Sequence, residues 1–242
     1  MKVAAYQAPL ASCRTDQVLP LIREQIDRCE ALGVEILCCP EGVLGGLADY
    51  VERPAEIAID VSGDGMQRIA TTLASHVVTT IVGFTEIDLD GRLFNAAAVL
   101  SRGSVAGIYR KLHPAINRSV YQAGHAFPVF TAGTLTFGVV ICRDSTFEEP
   151  ISAMVSRGAR AIFIPTNNGM PPDKGGAELV AEARAIDIAH ARKHGVPIIR
   201  ADVVGRAGRL TSHGSSAIVD RSGQVLAAAT SCNADLLMSN IV

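Results

Sequence analysis

Residues 135–150 read Leu-Thr-Phe-Gly-Val-Val-Ile-Cys-Arg-Asp-Ser-Thr-Phe-Glu-Glu-Pro, and few local structures accommodate that order. Phe137, Val139, Val140 and Ile141 form a short apolar run of the kind found in a strand buried on both faces. A polar turn follows, and Glu149 and Pro150 suit the first turn of a helix, where acidic side chains and proline are favoured. Cys142 is thereby set between the carboxyl end of a strand and a helix N-terminus. Backbone N–H groups point outward at such a place, favouring a thiolate and able to hold an oxyanion. Free cysteine is also among the most buried residue types, so on this stretch alone a structural thiol is the commoner outcome.

The rest of the chain alternates strands with helices and adds hairpins. Lys2–Tyr6 reads as a strand, and Thr15 as the cap of a helix carrying Val18, Leu21, Ile22, Ile26, Cys29 and Leu32 at helical spacing up to Gly33. Val34–Cys39 is a second strand, broken by Pro40-Glu41-Gly42, and a helix is expected over about Gly65–Ser75. Val77–Ile87 and Arg92–Leu100 form a hairpin around Asp88-Leu-Asp-Gly91, followed by a strand to Tyr109. Residues Ala115–Pro128 show no periodicity. Beyond Cys142 come a helix to Gly158, a strand Ala161–Ile164, the loop Pro165–Pro172 and a long helix Ala177–His194. Four strands close the chain: Pro197–Asp202, His213–Asp220, Gln224–Ala229 and Leu236–Ile241. This order, without repeats or linkers, predicts one α/β domain over residues 1–242 with a mixed sheet architecture.

Composition narrows the function classes. The 242 residues carry a formal net charge of -2, which offers no electrostatic footprint for nucleic acid or an anionic membrane. No apolar run reaches transmembrane length, and the N-terminus lacks the apolar core of a signal peptide. Six cysteines without a CxxC pair or a disulfide-framework spacing fit reduced thiols, so a cytoplasmic location is expected.

Glu41, Lys111 and Cys142 each follow an apolar strand, and α/β sites form at strand ends on one side of a sheet. Their chemistry is complementary: a nucleophilic thiol needs a base, and an ammonium favours both the thiolate and a negative tetrahedral intermediate. Spacing alone does not join the three. Cys39-Pro-Glu41-Gly, Tyr109-Arg-Lys111-Leu-His-Pro and Gly138-Val-Val-Ile-Cys142-Arg-Asp do, because in order and separation they resemble the three signature segments of the nitrilase, or carbon–nitrogen hydrolase, superfamily. The opening Val3-Ala-Ala-Tyr-Gln strand, the Phe94-Asn95-Ala-Ala strand and the late Gly214–Gly223 hairpin extend the likeness over nearly the whole chain. The hairpins and the Pro-Glu-Gly segment set it apart from isochorismatase-like cysteine hydrolases.

The resemblance implies a four-layer αββα sandwich, no cofactor or metal, and a homodimer or higher homo-oligomer. It implies Glu41 as general base, Cys142 as nucleophile, and Lys111 with the backbone N–H of Arg143 as stabilisers of the oxyanion. The expected reaction is hydrolysis of a small amide through a thioester. Nitrilase or N-carbamoyl hydrolase chemistry uses the same triad, and a catalytically silent binding subunit is the remaining alternative.

Two departures from the family pattern bear on the substrate. Many members carry a second glutamate shortly after the lysine; residues 115–121 here hold no acid, leaving Tyr121 or Asn117 as candidates for its task. Arg143 stands where relatives often have an aromatic residue, so it is a candidate for binding a substrate carboxylate, against internal pairing with Asp144 or Glu148. Asn167 and Asn168 resemble the loop bordering the family's pocket, as substrate ligands or as turn formers. Glu149 reads as a helix-end partner. His190 and His194, four apart on a helix, resemble metal ligands, yet the sequence shows no third ligand beside them, which favours a solvated or interface pair.

Overall fold

The computed structural model describes residues 1–10, 14–116, 118–171, 176–230 and 233–241. Asn117 lies outside these, as do Cys13 and Cys232. The first half of the chain gives β1 (Lys2–Pro9), α1 (Thr15–Ala31), β2 (Ile36–Cys38), β3 (Ile59–Asp60), α2 (Gly65–Thr72), β4 (Thr79–Ile87), β5 (Leu93–Ser101) and β6 (Ser104–Arg110). The second half gives β7 (Tyr121–Gln122), β8 (Val129–Ala132), β9 (Leu135–Val139), α3 (Glu148–Ser156), β10 (Ile162–Pro165), α4 (Ala177–His194) and β11 (Ile198–Ala201). It continues with β12 (Val203–Ala207), β13 (Leu210–His213), β14 (Ala217–Val219), β15 (Val225–Ala228) and β16 (Asp235–Asn240).

Two sheets form. In the first, β1, β2 and β4 run parallel, and β5 and β6 extend it as antiparallel neighbours. One edge of β1 is shared: β16 pairs with Lys2–Gln7, and β12 takes over at Ala8 and Pro9. In the second, β9, β10 and β11 are parallel, with β8 on one flank and the antiparallel pair β14–β15 on the other. Parallel neighbours need crossovers, and α1, α2, α3 and α4 lie in them.

The period-two alternation of each strand decides the layering. In the first sheet Val3, Ala5, Ile36, Cys38, Ala97 and Val99 pack toward Phe137, Val139, Phe163 and Ile199 of the second. On its outer face Ala4, Tyr6, Leu37, Val82 and Phe84 pack with Val18, Ile22 and Ile26 of α1 and Met66 and Ile69 of α2. The second sheet's outer face meets Ile151 and Met154 of α3 and Ala191 of α4. The layers are therefore helix, sheet, sheet, helix, as expected. Phe137 and Phe163 meet edge-on at 5.2 Å between the sheets' core residues. Truncating either to alanine would cost about 3–5 kcal/mol by the usual core scale.

Boundaries differ where local chemistry is ambiguous. Thr15 is the first helical residue of α1, not its cap; Arg14 holds that position without a side-chain cap bond. The aperiodic stretch after Lys111 contains β7, too short to leave a pattern. Gly205-Arg-Ala-Gly208 belongs to the β12–β13 hairpin, where Gly205 and Gly208 take positive φ. α4 has the expected bounds and ends at Gly195, whose φ of 65° is the left-handed conformation that stops a helix. No helix among the described residues is long and apolar enough to cross a membrane.

Candidate active site

Glu41, Lys111 and Cys142 stand just beyond the carboxyl ends of β2, β6 and β9, and Asn167 and Asn168 just beyond β10. The first two come from one sheet and the rest from the other, so the site lies on the seam of the sandwich. Gly83 on β4 admits the Pro40-Glu41-Gly42 turn. A Cβ at Gly83 would fall on the Pro40 carbonyl oxygen and within 2.6 Å of Glu41 Cα.

Glu41 and Lys111 are each about 2% exposed. Lys111 Nζ donates to Glu41 Oε1 at 2.6 Å, and Asn95 Nδ2 donates to the same oxygen at 2.7 Å. Glu41 Oε2 accepts from the backbone N–H of Asn167 at 2.9 Å. An ionised carboxylate offers about four acceptor sites, so three donors leave room for one more proton. Burial opposes the Lys111 ammonium, but the negative charge of Glu41, the potential thiolate of Cys142 and the bond to Glu41 outweigh it and raise the lysine above its ordinary range.

Cys142 has φ of 45°, a left-handed conformation unusual for a residue with a side chain. Such strain costs on the order of 1–3 kcal/mol and persists where its surroundings hold it. The residue opens a short 3-10 turn, Cys142–Thr146, that carries the chain from β9 to α3. Its Sγ lies 3.9 Å from Asn168 Oδ1. The Arg143 N–H has no hydrogen-bond acceptor among the described residues, as befits the open end of a helical turn. Desolvation is the largest influence on the thiol and Glu41 the next; against the cations of Lys111 and Arg200 they push it up to about 12. A thiol held neutral in this way needs a base at the moment it attacks.

Buried residues that the sequence reading passed over hold these groups in place. Asp144, fully buried, accepts from Tyr109 Oη at 2.6 Å, His113 N at 2.8 Å, and Leu112 N and Ile141 N at 3.3 Å each. One carboxylate thus ties the strand end bearing Lys111 to the turn bearing Cys142. Arg200 forms a buried two-pronged pair with Asp187 and donates to Thr166 Oγ1 and Ser145 Oγ, while Ser145 Oγ donates to the Cys142 carbonyl. Asp202 accepts from both the N–H and Nδ2 of Asn168 and from Ser215, which aims Asn168 Oδ1 at the thiol. Asn95, Asp144, Arg200 and Asp202 each put a polar side chain inside or beside an apolar strand segment. Such groups are buried only with partners, and that is the signal by which a sequence could have marked them.

The other expectations fare differently. Tyr121 does not bond Lys111 or Glu41; its Oη accepts from Ala48 N–H at 2.6 Å and shares a hydrogen bond with Thr85 Oγ1 at 2.8 Å, pinning the loop after Glu41. Arg143 pairs with neither Asp144 nor Glu148, and its Nη1 donates to the Ala115 carbonyl at 2.9 Å. Asn167 serves as a turn former, its Oδ1 accepting from Gly169 N, while its backbone holds Glu41. Glu148, not Glu149, pairs at the helix start, with Lys193. The view that His190 and His194 lack a third ligand is corrected: Glu148 from α3 reaches them, a contact across 42 residues of sequence that periodicity could not reveal.

Two cavities flank the site. One of about 120 Å³ is lined by Cys142, Arg143, Asn168, Glu182, Ile186 and Arg200. A larger one of about 370 Å³ lies beyond Asn167, walled by Leu10, Gly46, Tyr50, Val51 and Leu210, with Arg14 and Arg209 at its edge.

A "Hydrolase in pqqF 5'region" from Pseudomonas protegens is 30% identical over 77% of this chain and 66% of its own length. A glutamine-dependent NAD(+) synthetase from Xylella fastidiosa is 30% identical over 88% of this chain and 38% of its own. The chain therefore spans about two thirds of the first of these curated relatives and well under half of the second. An amidase of the nitrilase superfamily from Nesterenkonia AN1 shares the fold with a TM-score of 0.80 at 21% identity, covering 98% of this chain and 90% of the amidase. The carbon-nitrogen hydrolase family model matches residues 2–242, and the chain belongs to that family.

Proposed function

We propose that the chain hydrolyses the carbon–nitrogen bond of a small amide, with Cys142 as nucleophile and Glu41 as base. The observation that carries this reading is the buried Glu41–Lys111 pair, both of whose charges act on the Cys142 thiol. Glu41 takes the thiol proton as sulfur attacks the carbonyl carbon. Lys111 Nζ and the free Arg143 N–H stabilise the resulting oxyanion, charge-assisted donors in a site with little water. The tetrahedral intermediate collapses as Glu41 returns the proton to the departing amine or ammonia, leaving a thioester. Glu41 then takes a proton from water, hydroxide adds to the thioester carbon, and the thiol is regenerated as the acid leaves.

The size of the recess at the thiol supports a small substrate, since pockets for larger ligands span about 300–1,000 Å³. Arg143 and Glu182 bring opposite charges to that recess, which favours a neutral amide over a free carboxylate. The Nesterenkonia protein is an amidase, in keeping with this reading. The test is ammonia release from a panel of small amides, N-carbamoyl amino acids and nitriles, with Cys142→Ala alongside. Release from amides that disappears in Cys142→Ala is expected; release that survives the substitution would overturn the assignment.

A further inference from the structure

Behind the nucleophile turn, α3 and α4 bring three metal-ligating side chains to one point. His190 and His194 occupy one face of α4, with rings nearly parallel at 18° and centroids 5.7 Å apart. Glu148, the first residue of α3, faces them. The ligating atoms of all three lie within 4.8 Å of one another, and Glu148 Oε1 is 3.1 Å from His194 Nε2.

Two details of the histidine nitrogens suit them to ligation. The His194 side chain is only 10% exposed, and its buried Nε2 meets Glu148 Oε1 at 3.1 Å without hydrogen-bond geometry and has no other partner among the described residues. In the neutral tautomer with its proton on Nδ1, that nitrogen sets a lone pair against the lone pairs of a carboxylate, an arrangement a cation between them would relieve. His190 Nε2 lies 2.8 Å from the Ser145 carbonyl. A carbonyl only accepts, so this nitrogen carries the ring proton and Nδ1 carries the lone pair. Ligating histidines are oriented in this manner, through a backbone carbonyl on the other nitrogen.

We propose that Glu148, His190 and His194 bind a divalent transition-metal ion, zinc foremost, with at least one coordination position left open. Two imidazoles and one carboxylate suit zinc, cobalt or nickel, whereas magnesium and calcium favour oxygen ligands throughout. Lys193 Nζ lies 2.9 Å from Glu148 Oε1, and both side chains are well exposed. Exposed ion pairs contribute little, so the ion displaces the ammonium. His190 touches the Ser145 carbonyl and Ser145 Oγ bonds the Cys142 carbonyl, so the bound ion braces the nucleophile turn from behind. This site stands on its own geometry and does not depend on the reaction proposed above.

Cobalt titration of the Cys142→Ala protein tests it, with the nearby thiol removed as a competing ligand. One equivalent is expected, with visible absorption of nitrogen and oxygen ligation, no thiolate charge-transfer band, and a raised melting temperature. His194→Ala and Glu148→Gln are expected to weaken binding by about 100-fold, the scale on which disturbed metal sites lose affinity. Lys193→Ala, which deletes no ligand, is expected to bind more tightly. Circular dichroism without metal establishes that each variant is folded. No cobalt bound by the folded protein, a thiolate band, or equal affinity in folded His194→Ala would overturn the proposal.

Discussion

Replacing Glu41 by glutamine keeps the side chain's size and removes its charge, and the consequences for hydrolysis and for thiol reactivity have opposite signs. The thiol is held near 12 by desolvation and then by the Glu41 charge, which acts on it more strongly than Lys111 does. Unit charges coupled over about 4–6 Å at an effective dielectric of about 20 interact by about 3–4 kcal/mol, and the lower figure corresponds to about two pKa units. The thiolate fraction near pH 8 would then rise about 100-fold. A less basic thiolate is a weaker nucleophile, with a slope of about 0.5, so alkylation would rise about tenfold. The assay is the rate of iodoacetamide addition to Cys142, followed by mass spectrometry of its peptide, beside ammonia release from the best substrate. Wild-type alkylation should climb nearly tenfold per pH unit between about pH 7 and 9, because the thiol titrates far above that range. Glu41→Gln should lose hydrolysis while alkylating faster. Slower or unchanged alkylation in a folded variant would refute the electrostatic reasoning.

Three further outcomes follow from particular contacts. Gly83→Ala should abolish hydrolysis in a folded protein, since the added methyl collides with the backbone of the Glu41 turn; activity within about threefold of wild type would mean that the turn yields freely. Asp144→Asn places an amide NH2 among four donors and should cost about 2–4 kcal/mol, lowering the melting temperature by roughly 5–15 °C, as calorimetry would show. Arg143→Ala should change the ratio of rates on neutral and acidic amides by under about threefold, because its guanidinium already bonds the Ala115 carbonyl and Glu182 faces the same recess. A selective loss of about tenfold or more on acidic amides, about 1.4 kcal/mol, would restore Arg143 as a carboxylate ligand.

The layers were legible because strand and helix periods differ and each apolar face needed a partner. The end of α4 was read from its Gly195 stop, and β2, β9 and β10 from their apolar runs. Glu41, Lys111 and Cys142 were found through motif order, and their strand-end positions agree with it. What escaped was information carried by contacts distant in sequence. Asp144 joins two strand ends 32 residues apart, and Asn95 reaches Glu41 across 54. Tyr121 offered a phenol of the right reach for the missing acid, but its hydroxyl is committed to Ala48 and Thr85. A single sequence states which groups are available; it does not state which of them are already taken.

The seam position of the site has a consequence for the history of each molecule. Glu41 and Lys111 belong to one sheet, Cys142 and Asn168 to the other, and the ties between them (Asp144 to the lysine strand, Asn167 to Glu41) cross from sheet to sheet. A chain with either sheet formed alone holds a thiol without a base, or a base and an ammonium without a thiol. On the mechanism proposed above, competence therefore requires both halves of the sandwich. Turnover per molecule would then count completed sandwiches, and a chain with only one sheet formed would hold no working half of the chemistry.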